Sequence, residues 1–294
     1  MIIAFIGTGL MGLPMASNLL RAGFRVNAYN RSIEKTAPLA ELNAKICSSA
    51  EQAINNADII VTMLENEQAQ ETVLFNANML SFCKKNCLII DMASILPATA
   101  IAHAALADQY NVQYLDAPVS GGTQGAINAE LVIMVGGSAE NLSIAQPVLR
   151  TLGTKIVHIG PVGSGQIAKC ANQAIVAITI GAVSEALLLA HSAGANTQAV
   201  REALLGGFAA SKVLDQHGLR MLERNFVAGG TARVQLKDLT NILQCAEQNN
   251  LELPLTQSVT HQYQALNSAG YQDLDHSALL LLLEKNNNTI LNNN

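Results

Sequence analysis

The chain has 294 residues, of which half are apolar, and a formal net charge of −5. This length and composition provide a full hydrophobic core for one large or two ordinary domains. The acidic balance and the absence of any Lys/Arg run argue against a nucleic-acid partner. Five cysteines without C-x-x-C spacing favour reduced thiols in a cytoplasmic protein over a disulfide framework, and we expect no metal site.

The N-terminus carries a glycine motif between a strand and a helix. Residues 2–6 form a continuous apolar run, which predicts a strand buried on both faces of a parallel sheet. A helix is expected over residues 13–22. Strand, G-x-G-x-x-G and helix in this order are typical of dinucleotide binding, because glycines let the backbone approach a pyrophosphate at the helix N-terminus. The candidate cofactor residues are Gly7, Thr8, Gly9, Leu10, Met11 and Gly12. The alternative is a glycine-rich turn without a ligand.

The end of the second predicted strand, residues 25–29, bears on cofactor choice. An NAD-specific fold usually places Asp or Glu here for the ribose 2′-hydroxyl. This chain has Asn30, Arg31 and Ser32 instead, which supply donors and a positive charge. These suit a 2′-phosphate, so we expect NADP (NADPH) to be preferred over NAD. The alternative is that Arg31 is only a solvated loop charge.

Strands and helices then alternate up to a glycine-rich segment. Further strands are predicted over residues 58–64, 87–91, 112–115, 131–135 and 155–159, with helical segments over 33–42, 67–75 and 98–110. Residues 116–122 are expected to form a strand-to-loop transition able to hold a carboxylate. After residue 165 only helical periodicity is found. We therefore predict an α/β fold with an N-terminal Rossmann-type doubly wound sheet, residues 1–163, and an all-α C-terminal domain, residues 164–294.

A long helix over residues 166–192 joins the two predicted domains. Near its start, Lys169, Asn172 and Gln173 have i, i+3 and i+4 spacing and share one face. A Lys ammonium can donate a proton to a carbonyl oxygen that receives a hydride at its carbon. Acting as a base near neutrality, it would need its pKa lowered from about 10.4. The alternative is a lysine that is merely exposed.

Two further segments have distinctive compositions. Residues 174–190 approach membrane-spanning length, but a core or interface helix buried nearly all round fits their polar interruptions better. The Asn-rich tail, residues 286–294, has almost no core-forming pattern, and we expect it to be frayed.

Four motifs together resemble the β-hydroxyacid dehydrogenase family: residues 7–12, 116–122, 165–169 and 237–239, in family order. The resemblance implies that Lys169 is the catalytic acid/base and that the helical domain forms a homodimer or homotetramer. It also implies substrate contacts through Ser120, Gly121, Gly122, Asn172 and Gln173, and cofactor contacts through Met63, Leu64, Ser94 and Lys237. Glu65 and Ala93 depart from residues common in the family, so the nicotinamide pocket can differ in detail.

The function that follows is an NADPH-dependent reduction of a small carboxylate-bearing aldehyde, of the tartronate semialdehyde-to-glycerate type. Within the same class, 3-hydroxyisobutyrate oxidation and succinic or glyoxylic semialdehyde reduction stay open. Imine reductases share the architecture but look different where this chain has Lys169. A non-catalytic NADP-binding scaffold is the alternative from another class.

Overall fold

The computed structural model describes residues 1–292 and divides the chain into two compact units. The first unit is Met1–Lys169 and the second begins at Cys170. The sequence indicated a boundary near Gly163, whereas the division lies slightly later, inside the long helix.

The described part of the first unit is built on a nine-stranded sheet. Its strands are β1 (Ile2–Ile6), β2 (Arg25–Tyr29), β3 (Lys45–Ile46), β4 (Ile59–Thr62), β5 (Leu88–Asp91), β6 (Gln113–Asp116), β7 (Val119–Ser120), β8 (Leu131–Gly136) and β9 (Gly153–Gly160). The order is β3-β2-β1-β4-β5-β6-β8-β7, with β9 also paired to β8. The pairs from β3 to β6 are parallel, and β8 is antiparallel to β6 and β7.

The strand order reverses between β1 and β4, which makes the carboxyl ends of these two strands the switch point where open α/β sheets bind ligands. Alternate residues of β1 enter different cores: Ile3 and Phe5 face one apolar cluster, and Ala4 and Ile6 face another. Both faces of the sheet are therefore covered. This explains why its strands are continuous apolar runs rather than alternating ones.

The helices of the first unit cover those two faces. They are α1 (Gly12–Arg21), α2 (Ala37–Ala40), α3 (Ala50–Ile54), α4 (Glu67–Val73), α5 (Ala77–Leu80), α6 (Pro97–Asp108), α7 (Gly122–Ile127) and α8 (Ala139–Leu152). The helix α9 (Ser164–Ser192) begins in this unit and continues into the second.

The second unit is helical in its described residues. After α9 come α10 (Thr197–Leu205), α11 (Lys212–Leu222), α12 (Ala232–Gln248), α13 (Pro254–Leu266) and α14 (Leu279–Asn287). Side chains of α9, α11, α12, α13 and α14 form one apolar core, which contains the fully buried Tyr263. The predicted fold class, an N-terminal Rossmann-type sheet followed by a helical region that starts with a long helix, is confirmed.

Several local predictions were incomplete or wrong. The helix α8 was missed, and so was α7, which begins at Gly122, the last residue of the predicted strand-to-loop transition. The predicted helix over 33–42 is a 3₁₀ turn, Ile33–Thr36, followed by the short α2. The tail is not frayed throughout, because Leu291 is 1% exposed and its N–H donates to Glu284 Oε1 at 2.7 Å. Residues 293 and 294 lie outside the described residues.

The sequence suggested that the long helix is buried nearly all round. In the structure, α9 is buried on one side only. Its most apolar 18-residue window passes the length and hydropathy test for a membrane span, and 39% of that window is buried. The core side is formed by residues such as Ala177, Ile180 and Leu187, whereas Ile175 and Leu189 are 67% and 72% exposed. One side of the helix is therefore buried and the other is exposed, and apolar residues lie on both sides.

Candidate active site

The glycine loop after β1 has the shape that a bound pyrophosphate requires. Gly7 has φ +98°, and a Cβ there would collide with the Met63 carbonyl oxygen. A Cβ on Gly12 would collide with the carbonyl oxygen of Gly7, so α1 packs directly on the loop. Gly9 is exposed and faces open space at the start of α1. The loop thus fits a dinucleotide, with room at Gly9 and a helix N-terminus beside it.

The side chains predicted to face the cofactor ribose lie next to this loop. Asn30 Oδ1 accepts from the Thr8 N–H at 3.0 Å, and Asn30 Nδ2 donates to the Ser32 carbonyl at 2.9 Å. Asn30 therefore fixes the end of β2 against the glycine loop. Arg31 between these partners is exposed, so its guanidinium is available to solvent and to a ligand.

The remaining predicted cofactor residues of this unit lie at the carboxyl ends of neighbouring strands. Met63 follows β4 and donates its N–H to the Ile6 carbonyl at 2.9 Å. Leu64 and Ser94 are half-buried, and Ser94 follows β5. Leu10 is 59% exposed and Met11 is half-buried at the mouth of the loop. These residues all reach the edge of the sheet where the strand order reverses.

Beneath Ser94 lies a buried carboxylate that the sequence did not single out. Asp91 accepts from the Thr62 hydroxyl at 2.9 Å, the Gln70 amide at 2.7 Å, the Tyr114 hydroxyl at 2.9 Å and the Ala93 N–H at 3.2 Å. Burial raises the pKa of Asp91 from 3.8 to about 6, and these neutral donors oppose the rise. The network fixes the backbone that leads from β5 into the Ser94 segment.

Lys169 lies against the predicted substrate loop. Its ammonium donates to the carbonyl oxygen of Val119 at 2.8 Å, directly before Ser120. Ser120 is half-buried, and Gly121 and Gly122 are exposed with φ of +136° and +61°. Left-handed backbone conformations at both glycines turn the chain from β7 into α7. The structure thus brings the proposed proton donor next to the loop expected to hold a carboxylate.

The first turn of α9 is held by a second buried carboxylate, also missed in the sequence. Asp116 Oδ1 accepts from the Gly163 N–H at 2.8 Å, and Oδ2 accepts from the Gln166 N–H at 2.9 Å. A Cβ on Gly165 would come within 2.8 Å of Oδ2, and one on Gly136 would collide with Oδ1. Burial raises the pKa of Asp116, while the backbone donors act to lower it. Asp116 thereby ties the start of α9 to the end of β6.

The predicted residues of the second unit form their own polar group. Asn172 Nδ2 donates to Gln173 Oε1 at 2.8 Å, and Gln173 Nε2 donates to Asp238 Oδ2 at 2.6 Å. Lys237 pairs with Asp238 Oδ1 at 3.1 Å. The structure therefore brings Gln173 and Lys237 to one carboxylate, and Asn172 is bonded to Gln173. Asp238 was not predicted, although it follows Lys237 in the sequence motif.

A third buried carboxylate, Asp275, lies in the second unit next to two imidazoles. Its Oδ1 is 3.6 Å from His217 Nδ1, and its Oδ2 is 3.6 Å from the Arg220 guanidinium. The two imidazoles meet at 3.2 Å between their Nε2 atoms, and His276 Nδ1 lies 3.1 Å from Gln235 Oε1. This trio has the only ligand atoms close enough for a metal among the described residues. The Asp275 carboxylate already accepts hydrogen bonds from the Ser277 hydroxyl and the Gly229 N–H.

Two family models together cover nearly all of the chain. Residues 2–160 match the NAD binding domain of 6-phosphogluconate dehydrogenase. Residues 163–283 match the NAD-binding domain of NADP-dependent 3-hydroxyisobutyrate dehydrogenase.

Relatives of known name match over almost their full length. The chain is 41% identical to 2-hydroxy-3-oxopropionate reductase of Escherichia coli (strain K12) over 290 residues, covering 96% of this chain and 97% of the relative. It is 32% identical to NAD-dependent L-serine dehydrogenase of Pseudomonas aeruginosa, covering 96% and 97%. The solved structure of Mycobacterium tuberculosis 3-hydroxyisobutyrate dehydrogenase with L-serine superposes with a TM-score of 0.87 at 30% identity, covering 96% and 98%.

The glycine loop and the order of the motifs agree with these matches. The chain carries NAD(P)-binding domains and is an NAD(P)-dependent oxidoreductase that acts on hydroxyl groups of hydroxyacids. It belongs to the β-hydroxyacid dehydrogenase family.

Proposed function

We propose that this enzyme is an NADPH-dependent reductase of small aldehyde acids, of the tartronate semialdehyde-to-glycerate type. The observation that carries the proposal is the contact of Lys169 with the Val119 carbonyl, immediately before the loop of Ser120, Gly121 and Gly122. A proton donor and a candidate carboxylate-binding loop are thereby brought together in one unit. The 41% identity to 2-hydroxy-3-oxopropionate reductase supports the choice of substrate class.

Each residue then has a defined role. NADPH, when bound, supplies the hydride. Lys169 donates a proton to the carbonyl oxygen as negative charge develops there, and takes it back in the reverse direction. The Ser120 hydroxyl and the backbone N–H groups of Gly121 and Gly122 bind the substrate carboxylate. Asn172 and Gln173 orient the substrate.

The cofactor lies on the glycine loop in this proposal. Residues 7–12 receive the pyrophosphate, Met63, Leu64 and Ser94 line the nicotinamide and its ribose, and Lys237 also contacts the cofactor. Lys237 is 21% exposed, so its ammonium is accessible beside Asp238.

A second candidate function is the oxidation of a 3-hydroxyacid such as 3-hydroxyisobutyrate. The observation that favours it is the 0.87 TM-score with a 3-hydroxyisobutyrate dehydrogenase solved with L-serine. Succinic and glyoxylic semialdehydes should be included in the same assay as further candidate substrates. All of these compounds carry a carboxylate and an oxygen function on a short chain, so one loop can hold each of them.

The test of the reaction replaces the proton donor. Lys169→Ala should lower kcat for tartronate semialdehyde by at least about 100-fold, as expected for loss of a general acid. Lys155→Ala, which removes an exposed lysine from β9, is the matched control and should leave kcat unchanged. Near-normal turnover by the Lys169 variant would contradict the assigned role. A wild-type enzyme inactive on every aldehyde acid would favour an NADP-binding scaffold.

The preference for NADPH rests on the end of β2. Asn30 is used in bonds to Thr8 and Ser32, whereas Arg31 is exposed and can pair with a 2′-phosphate. Arg31→Asp should shift the ratio of kcat/KM values toward NADH. Because the chain is similar to an NAD-dependent L-serine dehydrogenase, the ratio of kcat/KM with NADPH to kcat/KM with NADH in the wild type also tests the assignment. A wild-type preference for NADH would contradict the NADPH assignment.

We also propose that the enzyme forms a cytoplasmic homodimer or homotetramer through the outer side of α9. The stripe consists of Ala171, Ile175, Ile178, Ala182, Glu185 and Leu189, spaced alternately by four and three residues, and all are exposed or half-exposed. Such spacing suits a second copy of the same helix. The five free cysteines agree with a reducing compartment.

Sedimentation of two stripe variants tests this assembly. Ile175→Glu and Leu189→Glu should each dissociate the oligomer, because a carboxylate would be buried in the interface. Leu255→Glu, at an equally exposed leucine on α13, is the matched control. Unchanged sedimentation of both stripe variants would contradict the proposal.

A further inference from the structure

The side chain of Gln166, in the first turn of α9, is hydrogen-bonded to the segment that contains Ser94. Gln166 is 1% exposed. Its Nε2 donates to the Ala93 carbonyl at 2.8 Å, and its Oε1 accepts from the Ile95 N–H at 3.2 Å. One amide therefore satisfies the backbone on both sides of Ser94.

The backbone of Gln166 is hydrogen-bonded as well. The Gln166 N–H donates to Asp116 Oδ2, and Asp116 also accepts from Gly163. Because a Cβ at Gly165 would come within 2.8 Å of that carboxylate, α9 starts in close contact with the end of β6. Gln166 is thus the point where the helix, β6 and the segment after β5 are joined.

Lys169 follows Gln166 by three residues and so lies almost one turn further along the same helix. Its ammonium is fixed at the Val119 carbonyl, in the strand after β6. Hydride and proton transfer need their donors set to a fraction of an ångström, since about 1 Å of misplacement can cost 100-fold in rate. A rigid link between the Ser94 segment and the start of α9 meets this need.

We infer that Gln166 is a positioning residue that sets the distance between the cofactor segment at Ser94 and the proton donor Lys169. The inference rests on the proposed function, in which Ser94 lines the nicotinamide and Lys169 supplies the proton. Gln166 has no contact with substrate assigned to it and acts through its two backbone partners. The neutral amide of Gln166 offers a donor to Ala93 and an acceptor to Ile95 at once.

Two variants separate the two bonds. Gln166→Glu, assayed above the pKa of the introduced carboxyl, keeps an acceptor for the Ile95 N–H but loses the donor to the Ala93 carbonyl, whereas Gln166→Met loses both. The matched control is Asn27→Asp on β2. Asn27 is 9% exposed, and its Nδ2 donates to the Ala53 carbonyl at 3.0 Å, so this change removes an equivalent amide donor from a backbone carbonyl elsewhere in the unit.

The first measurement needs no turnover. In the cofactor-free protein, amide hydrogen exchange of Ile95 should accelerate in Gln166→Met and stay protected in Gln166→Glu and Asn27→Asp. The second measurement uses NADPH deuterated at the transferred position. Both Gln166 variants should lose about tenfold to a hundredfold in kcat and show an increased primary isotope effect, with little change in KM for NADPH.

The outcomes distinguish the possibilities. Asn27→Asp is expected to lose thermal stability only. If the Gln166 variants behave in the same way, with unchanged kcat and isotope effect, Gln166 is merely structural and the inference is overturned. Unchanged exchange of Ile95 in Gln166→Met would also overturn it. If the wild type reduces no aldehyde acid, the proposed function fails first, and the positioning role for that reaction falls with it.

Discussion

The two units each contain a fully buried aspartate, and the pKa values of the two carboxylates are shifted in opposite directions. Asp91, 0% exposed, is surrounded by neutral donors, and burial raises its pKa to about 6. Burial also acts to raise the pKa of Asp275, which is 1% exposed, but the neighbouring His217 and His276 imidazoles and the Ser277 hydroxyl hold this pKa well below its ordinary value. The Arg220 guanidinium lies 3.6 Å away.

The difference shows that the number of hydrogen bonds does not decide the charge state of a buried acid. Asp91 accepts four hydrogen bonds, from Thr62, Gln70, Tyr114 and Ala93, yet its ionised form is disfavoured because every donor is neutral. Asp275 has the Arg220 guanidinium at 3.6 Å as well as neutral donors. Positive charge at close range compensates for desolvation where neutral dipoles do so only in part.

The largest expected effect is at Asp275. Asp275→Ala removes the carboxylate beside Arg220 and the acceptor of the hydrogen bonds from Ser277 and Gly229, so it should destabilise the fold by about 3–5 kcal/mol in urea unfolding. Asp273→Ala, two residues earlier, is the matched control, because Asp273 is 69% exposed in its pair with Arg233. Equal losses in the two variants would contradict the role of the buried charges.

An intermediate effect is expected from the pH dependence of Asp91. Its folded pKa lies above the unfolded value of 3.8, so the native state holds its proton more tightly and this contribution to stability falls as pH rises from about 4 to 6. Asp91→Asn removes the titration. The difference in unfolding free energy between wild type and variant should change by about 3 kcal/mol between pH 3 and 7. A constant difference across this range would show that Asp91 ionises normally.

The smallest expected effect is at Tyr114, which donates to Asp91 Oδ2. Tyr114→Phe should cost about 1 kcal/mol and raise the pKa of Asp91 further, moving the pH window of the previous experiment upward. Tyr263→Phe is the matched control, since the Tyr263 hydroxyl is bonded to the His276 carbonyl at 2.9 Å. The control should lose similar stability with no shift of the window; a shift in both variants would contradict the link to Asp91.

The sequence was sufficient for features that depend on local patterns. The strands Ile2–Ile6 and Arg25–Tyr29 have the predicted bounds, because local hydrophobic patterns specify them. The helix α7 was missed because its Gly-rich start resembles a turn. The helix α8 was missed although it contains buried Val148 and Leu149.

The predicted site residues came from motifs, and the residues that support them did not. Asp91, Asp116 and Gln166 bond partners far away in the sequence: the two side-chain bonds of Gln166 reach back 71 and 73 residues. No local pattern marks such a contact. Only the pairing of β5 with β6, which places Asp91 beside Asp116, brings these groups together.

The glycines around Asp116 have a consequence for how the chain tolerates change. Gly136 and Gly165 do not have positive φ, so backbone conformation would permit alanine at both. The Asp116 carboxylate occupies the space at Gly136, whereas the Met134 carbonyl oxygen and Asp116 occupy it at Gly165. Gly23 and Gly194 are the reverse, with positive φ and open surroundings. A single methyl group at Gly165 would therefore displace the origin of a 29-residue helix, whereas the same methyl at Gly194 would strain only one local turn. The sensitivity of these glycines to substitution follows the packing of Asp116 and Met134 against them rather than their backbone conformation.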